Sequence, residues 1–404
     1  MAQDFVGSNK INLLATQGQF GTLLAGGKDA ASPLFYIFTH LTPFVQLLFP
    51  EDDDVLLEYR ADDGQTIEPV YYCPTIPLLL VNGSAGIGTG WSTFIPPYNP
   101  LDIIAYIRGK LDRDEALPSI RPWAKGFTGM IVNREDGVGF SCTGKIEMMN
   151  EKSIRISELP LGLWTNKYKE HLLKMQEKEE ILSFVEDHTT TSVSFTVSVN
   201  GSQVQKLKKP NLETSFRLVS SLPTTNMNAY DAASRIVRFN SAEEIADAFF
   251  PTRYDLYIDR KSVLQSEMQY NATVMKNKSR FIQAVADGQI NLARQMQTRD
   301  QTISRLVELG FDDSRRLTSI RHNNALYKKR KAVLVDESVV DSDETNTCQF
   351  DYLLNMPLSS LNSEKITALH HDTEKTELDL TRLTNTSPED LWRRDLDRLE
   401  AHLK

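Results

Sequence analysis

Gly18-Gln19-Phe20-Gly21-Thr22, Gly26-Gly27-Lys28-Asp29 and Pro33-Leu34-Phe35-Tyr36-Ile37-Phe38-Thr39 form the stretch that organises the rest of the chain. Glycines come in clusters, a lysine and an aspartate follow, and a tyrosine opens an apolar run. The pattern predicts a loop leading onto a helix, with Tyr36 in its first turns. Glycine lets a backbone approach a ligand closely. Lys28 offers a phosphate a point charge, and helix N-termini favour anions. A tyrosine placed there has the chemistry to attack a phosphodiester. A tyrosine on an apolar helix is, however, ordinarily a packed core residue. The surrounding sequence has to decide.

The chain has 404 residues, enough for two or three domains. It holds no run of 18 or more apolar residues and therefore no membrane-spanning helix. No basic-then-apolar leader opens it. The three cysteines, Cys73, Cys142 and Cys348, lie far apart, which excludes a disulfide framework and a CxxC zinc site. The formal net charge is −9. Phosphate binding draws on clustered Lys and Arg through counterion release, so composition alone does not favour nucleic acid. Acidic segments such as Asp52-Asp53-Asp54 and Asp336 to Glu344 carry much of the excess. Any nucleic-acid reading rests on local sequence.

Residues 1–50 read as loop, helix and connection, with an abrupt start that suggests a domain cut through its interior. Residues 55–100 hold short strands and Pro/Gly turns, and among them Gly83-Ser84-Ala85-Gly86-Ile87-Gly88-Thr89-Gly90-Trp91. The spacing is not a dinucleotide fingerprint, because no strand–helix unit with a following acidic residue accompanies it. Ile87 within it is either a buried anchor or an apolar wedge for base pairs. Leu101, Ile103, Ile104, Ile107 and Leu111 form a helical stripe within a predicted helix over 101–120. Alternating segments from Phe127 to Ile156, Ser192 to Val199 and Phe216 to Ser221 predict strands, and Trp164 to Lys174 a helix. Thr214 to Asp231 offers Ser, Thr, Asn and Arg that suit phosphate oxygens. The same composition also fits an ordinary surface strand and turn.

From Ser241, an N-cap followed by Glu243 and Glu244, the character changes. Positions 250, 254, 257, 261, 264, 268, 271, 275, 278 and 282 form a largely apolar seam. This predicts a rod of 40-odd residues, on the order of 60 Å long. Ile303, Leu306, Val307 and Leu309 mark a smaller helical region. The acidic stretch 336–347 reads as a disordered linker. A second seam at 366, 369, 373, 376, 380 and 383 implies an antiparallel helix pair. The basic run Lys328 to Lys331 reads either as a solvated helix face or as a nuclear localisation signal.

Taken in order, Met1 to Asn9, GQFGT, GGKDAASP, Tyr-Ile-Phe-Thr and the run Asn82 to Ser92 resemble eukaryotic-type DNA topoisomerase II, and the resemblance continues to the end of the chain. It implies an α+β multidomain protein in three parts. Residues 1–50 would be a partial winged-helix segment bearing the active-site tyrosine. Residues 51–240 would be an α/β tower with a DNA-bending loop. Residues 241–404 would be a long antiparallel coiled-coil arm with a helical C-gate, Tyr352 to Leu358 lying at the dimer contact. It implies a nuclear homodimer acting on double-stranded DNA in topological change and chromosome segregation. Tyr36 would form a 5′-phosphotyrosyl bond and Ile87 would be the wedge. Lys28, Trp91, Arg217, Ser220, Ser221, Thr224, Thr225 and Asn226 would contact DNA. ATP and Mg²⁺ serve the family through an ATPase and a TOPRIM domain, and neither an ATP motif nor an acidic metal cluster is expected within this chain.

The sequence departs from the family around its chemistry. The arginine before the tyrosine is absent, and Leu34-Phe35 adds one residue, which turns a helix by ~100°. Leu23 and Gly162 replace arginines, and Ala85 replaces a glutamate. Impaired cleavage is therefore expected. A non-catalytic DNA-bending and dimerisation module, a structural coiled-coil protein and an inactive fragment are the alternatives.

Overall fold

The computed structural model describes residues 1–31, 37–135, 137–200, 212–290, 299–322, 349–357 and 363–404. Tyr36, the linker expected at 336–347 and the basic run 328–331 lie outside these. In chain order the strands are β1 (Leu14–Gln17), β2 (Phe38–Leu41), β3 (Tyr59–Asp62), β4 (Gln65–Pro69), β5 (Ser84–Ile87), β6 (Ser92–Ile95), β7 (Met130–Asn133), β8 (Phe140–Thr143), β9 (Lys145–Asn150), β10 (Ser153–Glu158), β11 (Ser183–Glu186), β12 (Phe195–Ser198), β13 (Val219–Leu222), β14 (Met227–Tyr230) and β15 (Ile236–Phe239). The chain is α+β and divides into two compact units. One comprises Met1–Phe49, Pro74–Thr252 and Asp395–Lys404, the other Pro50–Cys73 and Arg253–Arg394. Among the described residues no helix is long and apolar enough to cross a membrane.

The first unit is built on an antiparallel sheet of order β11-β12-β10-β9. Its strands alternate as period 2 requires: Ile154 and Ile156 are buried with Arg155 exposed between them, and Phe195 and Val197 are buried beside them. Against this face lies the helix Thr165–Glu177, which buries Tyr168, Leu172 and Met175 at helical spacing. The Tyr168 hydroxyl donates to the Phe216 carbonyl at 3.0 Å, and burial raises its pKa far above the usual phenol range. A second, three-stranded sheet has the order β13-β8-β7. The helix predicted over 101–120 runs over Pro100–Asp112 only. Asn99 caps it by accepting from the Leu101 N–H, and Arg113, in the left-handed region at φ +60°, ends it.

One expectation fails in this unit. The apolar run after Tyr36 is strand rather than helix. Phe38–Leu41 pairs antiparallel with Leu14–Gln17, in register from Leu14↔Leu41 to Gln17↔Phe38. Ile, Phe and Thr in succession favour a pleated backbone. The helix starts only at Pro43, whose fixed φ suits a first turn.

The second unit contains most of the helix Ala242–Ala286, which begins as its cap predicts. The Glu244 N–H donates to Ser241 Oγ at 3.2 Å, and the Glu244 carboxylate accepts from the Asn240 N–H at 2.8 Å. At ~1.5 Å per residue its 45 residues span about 68 Å. The helix Ser363–Asn385 runs antiparallel to it: Lys261 and Gln265 bond to Thr384, while Met275 meets Thr376. On the later helix Leu369, Thr373, Thr376, Leu380 and Leu383 are buried or half-buried, and nearly all positions between them are exposed. On the longer helix the deepest stripe departs from the expected seam. It includes Arg253, Leu256, Tyr257, Arg260 and Val263. Both arginines are interior because one carboxylate serves them. Asp53 accepts from Arg253 Nη1 at 2.7 Å and from Arg260 Nε at 2.7 Å. Both guanidiniums approach the Tyr257 ring, 4.4 Å from its centre, and the ring stacks on Trp392. A pattern search counts arginine as surface and shifts the stripe accordingly. Further along, Phe281, Ile290, Leu306, Phe311, Phe350 and Leu353 close a small apolar head.

Removing the shared carboxylate takes its counter-charge from each of two buried guanidiniums. Asp53→Ala is expected to lower stability by about 3–5 kcal/mol, read as an earlier urea midpoint. A change below about 1 kcal/mol would show that water reaches these guanidiniums.

Candidate nucleic-acid interface

The glycine-rich run Gly83 to Trp91 folds into a hairpin. β5 and β6 pair from Ser84↔Ile95 to Ile87↔Ser92, and the Gly88 N–H donates to the Trp91 carbonyl at 2.7 Å to close the tip. Ile87 stands at the end of its strand and is 94% exposed, with Trp91 57% exposed across the turn. The buried-anchor reading of Ile87 is thereby overturned. Among the described residues, no atom lies within 4 Å of where a Cβ would sit on Gly86 or Gly90. Gly83 at the hairpin's base is the opposite case. A Cβ there would meet the Ile95 carbonyl oxygen at 2.7 Å, and its φ is +68°.

Polar groups hold the hairpin at its base. The Phe94 N–H donates to the Asn226 carbonyl at 2.9 Å, and Thr93 Oγ1 donates to the Asn228 carbonyl at 2.7 Å. Asn226 Nδ2 donates to Ser92 Oγ at 2.7 Å, and Asn228 Nδ2 donates to the Ser92 carbonyl at 2.8 Å. Ile87, Trp91 and Asn226 therefore belong to one constellation, with Thr224 and Thr225 in the connection leading into it. Asn226 serves there as an internal fastener. Asn228 and Asn82 escaped the sequence reading. Both lie within stretches the sequence singled out, but nothing in a single sequence marks either as a tie.

The other candidates are spread over the first unit. Ser220 and Ser221 lie on β13, where Ser220 pairs with Cys142 of β8. Burial pushes the Cys142 thiol above its ordinary pKa, and Ser220 is half-buried beside it on β13 while Ser221 is exposed. Arg217 is exposed at φ +52°, between the buried Phe216 and Leu218. Burial, joined by the Arg217 guanidinium nearby, holds the His171 imidazole below its usual pKa.

The loop that opened the sequence reading uses its glycines on itself. A Cβ on Gly21 would meet Gly27 Cα at 2.3 Å, and one on Gly26 would meet the Trp164 ring at 2.1 Å. The Asp29 carboxylate fixes the loop by accepting from the Thr22 N–H at 2.9 Å and from the Thr22 hydroxyl. Partial desolvation raises the Asp29 pKa, but these bonds outweigh it and the net shift is downward. Lys28 projects from this loop, exposed. Leu23 does not stand open toward a phosphate, because its side chain is buried in the main core. Gly162 occupies the third position of a turn closed by the Leu163 N–H to the Pro160 carbonyl, at φ +84°. An arginine would be strained there. Among the described residues no three His, Cys, Asp or Glu side chains stand together as metal ligands. These residues do not fit a bound Mg²⁺.

Residues 1–397 match the family of the DNA gyrase/topoisomerase IV A-subunit. DNA topoisomerase 2 of Arabidopsis thaliana is 36% identical over 417 residues, covering 100% of this chain and 28% of that protein. The DNA topoisomerase-like protein cin-4 of Caenorhabditis elegans is 34% identical over 426 residues, with 100% and 50% covered. The chain thus spans between about a quarter and a half of the length of these relatives. A crystal structure of the Plasmodium falciparum topoisomerase II DNA-binding, cleavage and re-ligation domain superposes with a TM-score of 0.83 at 33% identity, covering 99% of this chain and 53% of that one.

Next to the hairpin's base, Lys10 is buried, its Nζ donating to the Ser8 carbonyl at 2.9 Å. Desolvation pushes its pKa down from 10.5 to about 8. The unfolded chain therefore holds a proton between pH 8 and 10.5 that the folded chain has released, and stability rises with pH across that window. Lys10→Met is expected to remove this rise and to stabilise the protein at pH 7 by up to about 3 kcal/mol, measured by urea unfolding from pH 7 to 10. Parallel pH profiles for the two proteins would show that Lys10 is solvated.

Proposed function

Since the chain belongs to the DNA gyrase/topoisomerase IV A-subunit family, we propose that it is the DNA breakage–reunion part of a eukaryotic-type topoisomerase II. The observation that carries the reading is Ile87, an isoleucine held 94% exposed at the tip of a hairpin whose base is fastened by hydrogen bonds. Keeping an apolar side chain in water has no folding benefit. Inserted between base pairs it unstacks a step and bends the duplex, at a cost of a few kcal/mol that added protein contacts offset. Trp91, Arg217, Ser221, Thr224, Thr225 and Lys28 supply further contacts to the duplex in this reading.

Tyr36 is the proposed nucleophile. Its phenolate oxygen attacks a backbone phosphorus, the bond to the 3′ oxygen breaks, and the 3′ hydroxyl leaves with a proton while the 5′ phosphate stays on the tyrosine. The reverse transfer reseals the strand, so no external energy enters the cut itself. A phenol of pKa ~10 needs cationic help to react. Strand passage in topoisomerase II draws on ATP and Mg²⁺. In this reading both are supplied by parts of the enzyme outside the described residues. The division into winged-helix segment (1–50), tower (51–240) and coiled-coil arm with C-gate (241–404) belongs to the same proposal. So do homodimerisation through the helical head and a nuclear location.

A second reading, a DNA-bending and dimerisation module without cleavage, is favoured by one observation. Leu23 fills core space where the family resemblance puts an arginine. Covalent trapping separates the two. The chain is fused to the N-terminal half of an intact relative, incubated with duplex DNA and denatured. Covalent attachment that Tyr36→Phe abolishes supports the enzyme, and absence of attachment supports the module. Both readings predict bending. Energy transfer between dyes on the two duplex ends should rise on binding, and Ile87→Ala should weaken that rise while changing stability by less than about 0.5 kcal/mol. Light scattering on the same samples should give a dimer. Undiminished bending in Ile87→Ala would remove the wedge from either account.

A further inference from the structure

Asn82 ends the helix Leu78–Asn82, two residues before the hairpin begins. Its side chain reaches a segment far earlier in the chain. Oδ1 accepts from the Lys10 N–H at 2.8 Å and from the Ile11 N–H at 3.1 Å, and Nδ2 donates to the Ile11 carbonyl at 3.1 Å. An amide of this length satisfies donors and acceptor together, whereas aspartate lacks the donor and alanine lacks both. Ile11 is fully buried, so the gripped segment is itself anchored.

From that grip the hydrogen bonds continue toward the proposed nucleophile. Thr42 Oγ1 donates to the Asn12 carbonyl at 2.6 Å, and the Thr42 N–H donates to the Leu13 carbonyl at 3.0 Å. β1 then pairs with β2 along its full length. β2 begins at Phe38, two residues after Tyr36. On the other side the Tyr98 N–H donates to the Leu80 carbonyl at 2.8 Å, closing the chain beyond β6 onto the helix that Asn82 ends. An uninterrupted path of hydrogen bonds and short backbone runs thus joins the hairpin bearing Ile87 to the strand that follows Tyr36. The Asn226 and Asn228 fastenings hold the hairpin to β14 and do not enter this path.

We propose that Asn82 is a positioning residue that couples the Ile87 hairpin to β2, so that load on the hairpin reaches the strand adjoining Tyr36. The source of that load, DNA bending, rests on the reading above; the tie itself does not. Coupling of this kind has to be shown by perturbation rather than by proximity, and amide hydrogen exchange in the full chain provides the test. Without DNA, Asn82→Ala should speed exchange at Lys10, Ile11 and residues 38–41 by roughly tenfold, since amides lose protection when their local structure opens more easily. Asn228→Ala, which loosens the hairpin from its other side, should leave those amides as in wild type. Asn82→Asp keeps the acceptor and should fall between wild type and Asn82→Ala, and it decides the matter if the alanine variant fails to fold. Wild-type exchange at residues 38–41 in the Asn82 variants overturns the tie. With duplex DNA, residues 38–41 should slow in wild type and not in Asn82→Ala. Absence of any response to DNA at residues 84–95 in wild type would overturn the bending reading instead, and the DNA-free arm would then decide the tie by itself.

Discussion

An isoleucine presented to water has to be held there by something other than its own burial. In this protein polar groups do it. The β5–β6 hairpin is fastened at its base, where Ser92, Thr93 and Phe94 engage Asn226 and Asn228. Each of these hydrogen bonds contributes only about 1 kcal/mol net. Their value is directional, because they fix where the apolar tip points. The same division of labour holds below, where Gly83 leaves room for a carbonyl that any side chain would displace.

Wherever a single period governed burial, the structure was legible in the sequence. Ile103, Ile104, Ile107 and Leu111 announced their helix, Ser241 its cap, and Leu369, Thr373, Thr376, Leu380 and Leu383 the inward face of theirs. The Ile87 site was legible as a choice between two roles, of which exposure removed the buried anchor. What escaped depended on partners distant in the chain. The glycines at 21, 26 and 27 read as room for a ligand, and they are room for one another and for Trp164. Ser220 read as a phosphate donor because its neighbour Cys142 is 78 residues away. The run after Tyr36 became a strand because β1 was waiting to pair with it.

The second unit repeats the point with charge. Arg253 and Arg260 are buried on the long helix because Asp53, some two hundred residues earlier, meets both. Such a cluster adds little stability over an apolar one of the same shape. What it adds is register: a single carboxylate between two fixed guanidiniums admits one axial setting of the helix against the segment bearing Asp53. An apolar seam would tolerate sliding that this arrangement does not.

Leu23 shows what a closed core excludes. Its side chain is enclosed with Leu159, Tyr168 and Phe216 in the main core, and its carbonyl faces Thr165 at 3.5 Å. Once a core has closed around an aliphatic side chain, an arginine in its place asks for a buried guanidinium without a carboxylate to meet it, which costs several kcal/mol. The core around Leu23 is thus closed to a lone cation, and a charge at this place requires neighbouring residues to change with it.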